Sequence, residues 1–186
     1  MSVYGDQLTA FGNAQVVEIP PDLIASPFGG IANTNDATAK NPLGTLYRYK
    51  GNLYRYVKFD NGSGNVAAVA YGVVHWKTLD PTGGTFTVTS DQTDALAGIN
   101  SVAGVLGTTV VTDLYFTWIQ VSGLVTALVA GSTAIGDIMI GYATDLTFNR
   151  TAADAEILSV LFGVAVTAIS SGKSSVLLNA GVLASL

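Results

Sequence analysis

Turn-forming residues recur so closely along this chain that only short segments are left between them. The clusters Asp60-Asn61-Gly62-Ser63-Gly64-Asn65, Asp80-Pro81-Thr82-Gly83-Gly84, Gly131-Ser132 and Ser170-Ser171-Gly172-Lys173 each break the pattern. Glycine and Asn-Gly tolerate the positive φ that tight turns demand. The intervening segments are rich in β-branched and aromatic residues, and they predict strands at residues 66–78, 85–89, 104–112, 114–122, 124–129, 137–143, 158–167 and 174–183. Helical turns are predicted only at 91–97 and 152–157, both too short for an amphipathic helix of consequence. Short strands at this spacing make an all-β protein, a compact β sandwich or barrel, rather than alternating β-α units.

The clearest strand pair is written twice. Leu-Tyr-Arg-Tyr at residues 46–49 recurs at 53–56, with Lys50-Gly51-Asn52 between them, the pattern of a hairpin. In the second strand, alternation puts Leu53, Arg55, Val57 and Phe59 on one face and Tyr54, Tyr56 and Lys58 on the other. Large side chains on both faces predict that one is covered and that the other contacts something. The same stretch holds Lys40, Arg48, Lys50, Arg55 and Lys58, five of the chain's 8 basic residues. They read either as a solvated hairpin face or as a docking surface for an acidic partner.

Residues 1–43 read differently. They carry Pro20, Pro21, Pro27 and Pro42, all the prolines but Pro81, and outside a short strand predicted at 14–19 they show little periodicity. Dense prolines exclude long helices. Yet Val16, Val17, Ile19, Leu23, Ile24, Phe28 and Ile31 are too many large apolar groups for an inert tail. The expected organisation is an extended N-terminal arm, 1–43, and a β domain, 44–186, with a linker near 80–103 as the place where that body could divide. The arm should lie against its own domain, a neighbouring copy or another protein.

Composition narrows the function. With no cysteine there is no disulfide framework, thiolate nucleophile or cysteine metal site. His75 is the sole histidine, between Val74 and Trp76, and no GxSxG elbow supplies a nucleophile for it. A structural or interfacial strand histidine is the expectation, and one histidine without cysteine does not make a zinc site. Asp91 and Asp94 fit no EF-hand loop, so helix capping or plain solvation is expected of them. Phosphate and dinucleotide loops are absent; Gly62-Ser63-Gly64 lacks the third glycine and the strand-to-helix setting. A net charge of −5 argues against nucleic acid. The longest apolar run, residues 157–169, is shorter than the roughly twenty residues a membrane helix needs. The first residues lack the basic start and apolar core of a secretory signal, so a soluble protein is expected. No enzyme, cofactor, metal, nucleic acid or membrane is expected. Aromatic residues such as Trp76 and Trp118 leave sugar stacking open, but core and subunit contact is the commoner use.

Several segments resemble tailed-bacteriophage capsid cement (head decoration) proteins. An aromatic-rich strand ends in Gly123 before a Val-Thr run. A Gly136-Asp137 strand follows, then a closing Gly163-Val164-Ala165 … Gly172 … Val176 to Leu178 hairpin. The resemblance covers roughly residues 44–183 and contains no reactive residue. It implies a virion protein on the outside of the phage head, assembled in the host cytoplasm. Its implied partners are the major capsid protein and itself, as a homotrimer at three-fold positions. The interface expected on this reading comprises Val16, Val17, Ile19, Leu23, Ile24 and Phe28 of the arm and Tyr47, Arg48, Tyr54, Arg55, Tyr56 and Lys58 of the hairpin. Other readings are a tail-tube, head-fibre or spike component, and a carbohydrate- or small-ligand-binding β barrel.

Overall fold

A computed structural model describes residues 34–80, 82–96, 101–107, 111–141, 145–150 and 162–179. The arm residues Val16, Val17, Ile19, Leu23, Ile24 and Phe28, the strand predicted at 14–19 and the helical turn predicted at 152–157 lie outside the described residues.

The strands are β1 (Leu46–Tyr49), β2 (Asn52–Asp60), β3 (Val73–Asp80), β4 (Thr85–Thr89), β5 (Val102–Val105), β6 (Phe116–Leu128), β7 (Ile138–Gly141), β8 (Phe148–Arg150), β9 (Gly163–Ala165) and β10 (Lys173–Asn179). They form one sheet in the order β1-β2-β4-β3-β5-β6-β10-β9-β7-β8. An additional β2–β6 pairing closes β2-β4-β3-β5-β6 into a five-stranded barrel. The fold is all-β, as expected. The predicted turn at 91–97 is a single 3-10 turn, Gln92–Asp94, capped by Asp91, whose side chain accepts from the Thr93 N–H.

A ring of five strands is tight, and the chain bends to close it. The register shifts between Leu53 and Tyr54 against β6, between Trp76 and Thr78 against β4, and between Val74 and His75 against β5. Such bulges add the local twist that closure requires. Ring pairs are antiparallel except β2–β4, which is parallel. Alternation then fills the barrel with Val57 and Phe59 of β2, Val74 and Trp76 of β3, Val88 of β4, and Ile119 and Val121 of β6.

Strand β6 belongs to two structures. Its first half pairs with β2, and residues 122–128 pair with β10. The change occurs at Gly123, whose φ of +95° favours glycine and whose position would drive a Cβ into Asn52. Beyond it, Val125, Val176, Ala165, Met139 and Phe148 build a second core, which also takes in Val73, Val102 and Val105 of the barrel strands. Barrel and outer sheet therefore share packed side chains.

Several boundaries differ from the sequence expectation. The hairpin turn has two residues, not three, because Asn52 pairs with Tyr49. Lys50 and Gly51 both have positive φ, 46° and 82°, the geometry of a type I′ turn. Residues 66–72 form no strand, and β3 starts only at Val73, after Tyr71 at φ 66°. The strands expected at 114–122 and 124–129 are one strand that bends at Gly123. Strand β8, three residues long, was too short to show a period. Residues 80–103 carry β4, the 3-10 turn and the start of β5, all within the barrel segment of the chain.

Candidate interaction surfaces

The two faces of the hairpin have different environments. Leu53, Val57 and Phe59 pack with the barrel core. On the other face Tyr54 and Tyr56 are buried against Trp118, covered by Leu43, Tyr47, Tyr49 and Phe116. The Tyr56 and Trp118 rings are 5.1 Å apart, and Tyr47 meets Trp118 edge-on at 6.3 Å. The contact expected on this face is thus made by the chain itself.

Residues 34–43, counted with the arm from their sequence, supply part of that cover. Asp36 forms an antiparallel bridge with Phe116, each N–H donating to the other's carbonyl at 2.9 Å. The Tyr56 hydroxyl donates to Asp36 Oδ2 at 2.9 Å and accepts from the Lys40 N–H at 3.2 Å. Lys40 Nζ completes the group, 2.7 Å from Asp36 Oδ1. Burial first, and then the adjacent Asp36 carboxylate, raises the Tyr56 pKa, so the phenol stays a neutral donor.

The basic stretch is divided. Lys40 is paired with Asp36, and Lys50 lies 5.2 Å from the Tyr49 ring centre. Arg48 is exposed, Lys58 is half-buried, and Arg55 is buried on the barrel side. Of the twelve residues expected at an interface, Arg48 alone among those described is exposed, with Tyr47 and Lys58 half-buried.

The acidic side chains near the 60–65 loop hold that loop. Asp91 accepts from the Gly64 N–H at 2.6 Å and from Thr93, while Asp94 accepts from the Ser63 N–H and hydroxyl, both at 2.7 Å. Lys77 bridges Asp60 at 3.0 Å and Asp94 at 3.3 Å. Both Asp91 and Asp94 have lowered pKa values, chiefly from the Thr93 and Ser63 side-chain hydrogen bonds respectively. His75 is fully buried in β3, opposite Thr89 and Val102. Among the described residues no group of three or more His, Cys, Asp or Glu is placed to hold a metal ion.

A surface the sequence reading did not single out lies on the outer sheet. Leu124 of β6 pairs with Leu177 of β10, Leu177 with Val164 of β9, and Val164 with Ile138 of β7. Each stands on the face opposite the buried Val125, Val176, Ala165 and Met139. The result is a four-strand apolar row facing outward, with Leu124 55% and Leu177 53% exposed. The signal was present in the run Val176-Leu177-Leu178, where a strand's alternation must turn the middle residue away from its neighbours.

No protein-family model matches the chain, and no curated protein matches it. Among solved structures, the N base of the head fibre protein gp8.5 of bacteriophage phi29 is similar, with a TM-score of 0.46 and 14% identity over 68% of this chain and 93% of that one. A likeness of that size assigns no role to any residue.

Proposed function

We propose that this chain is a structural protein of a tailed-phage virion. On this reading it is a cement (decoration) protein that binds the outer surface of the head, stabilises contacts between major capsid subunits and does no catalysis. It acts as a homotrimer on the exterior of the virion after assembly in the host cytoplasm. The observation that carries the reading is the outward apolar row Leu124–Leu177–Val164–Ile138. Exposed apolar patches of this kind mark association surfaces, and a repeated patch on identical subunits builds closed symmetric oligomers. The aspartates and Lys77 near the 60–65 loop support it too, because they are engaged in holding the fold. The resemblance over residues 44–183 supplies the capsid as the place of attachment, and the apolar arm is the segment that reaches the neighbouring capsid subunit.

Co-sedimentation of the purified full-length chain with heads of the virus that encodes it, prepared with its gene deleted, tests the attachment. Saturable retention on the heads is expected. A folded chain that stays in the supernatant at every concentration overturns the assignment.

A further inference from the structure

Among the described residues, one positive charge in the barrel has no counterpart. Arg55 extends from β2 to the barrel side, between Leu53 and Val57 in alternation, and only 8% of it is exposed. Its guanidinium carbon lies 5.6 Å from the ring centres of both Trp76 and Phe86, which meet edge to face at 6.2 Å. Nε is buried with no hydrogen-bond partner. Among the described residues the ion pairs belong to Lys40 and Lys77, not to Arg55. Every described carboxylate side chain accepts a hydrogen bond elsewhere.

The two aromatic faces stabilise the charge but leave Nε without an acceptor. A guanidinium has five donors in a planar fork, and a ring face takes none of them in the plane. Leaving a buried charge without hydrogen-bond partners is costly. The rings lie against the guanidinium at 5.6 Å each, and a bidentate carboxylate approaches such a fork in its plane. Two oxygens in a plane suit this fork. A phosphate, with more charge and more oxygens, calls for several cations, and this is a lone one on a chain of net charge −5.

We propose that Arg55, held between Trp76 and Phe86, is a binding site for a carboxylate that comes from outside the described residues. The group that supplies it is an acidic side chain of a second protein. The site stands on its own geometry and does not depend on the virion reading.

The test is side-chain NMR of the Arg Nε–Hε groups in the full-length protein, titrated with sodium glutarate against sodium chloride of equal ionic strength, and separately with sodium phosphate. A site open in the free protein gives a saturable shift of the Arg55 signal, half-complete at about 10–100 mM, the range expected for one charge-assisted pair. The proposal is overturned if glutarate shifts the signal no more than chloride does, or if phosphate shifts it at lower concentration than glutarate. R55M supplies an independent reading: glutarate should raise the melting temperature of an open wild-type site and not that of R55M, and equal rises contradict the site.

Discussion

Tyr56 ties the start of the described chain to the barrel through one hydroxyl. It donates to Asp36, which also holds Lys40 and bridges Phe116. Y56F removes that donor from a buried carboxylate and should lower unfolding free energy by about 1.5–3 kcal/mol, read from the urea midpoint; an unchanged midpoint contradicts the role given to this bond. The titrating groups set a pH window as well. Asp91 and Asp94 have folded pKa values below the ordinary 3.8, so their contribution is present above that pH and is lost as the pH falls further. Tyr56 has a folded pKa above the ordinary 10.0, so the unfolded chain ionises first and stability declines as pH rises past that value. Denaturation across pH should therefore show a plateau with loss at both ends, with D94N shrinking the acid limb and Y56F the alkaline one. At this scale alternation correctly assigned which hairpin residues share a face. It could not say what covers the tyrosines, because Asp36 lies 20 residues away from Tyr56 in a segment with no period.

Among the elements, the hairpin and β6 show what local pattern can and cannot specify. Repeated β-rich tetrapeptides around a glycine were enough for β1 and β2, while the turn length depended on Lys50 taking positive φ, which its residue type does not announce. Gly123 stood out in the sequence as a strand end. It is a bend within one strand, since glycine marks both and only the partners of each half tell them apart. The outer row Leu124–Leu177–Val164–Ile138 depends on cross-strand register, which a linear pattern does not contain. L124K/L177E replaces two half-exposed leucines by an opposite-charge pair facing each other across β6 and β10, so the stability change should stay within about 1 kcal/mol. Sedimentation velocity should show the wild type as an oligomer and this variant as a monomer. A variant that keeps the wild-type oligomer places the self-contact elsewhere.

For the molecule as a whole, many short strands and frequent turns were sufficient for the all-β class. Barrel closure was not legible, because it rests on the parallel pairing of β2 with β4 and on β2 returning to β6 from more than fifty residues away. The same distance effect hides the contacts that Asp36 and Lys40 make with the barrel strands. The central claim is that the assembled protein sits on the head exterior, and electron cryo-microscopy of purified virions tests it most directly. The account predicts trimeric density that fits the barrel and outer sheet, at three-fold positions outside the capsid shell and absent when the gene is deleted. Density for this chain in the tail or in fibres, with bare three-fold positions, would contradict it.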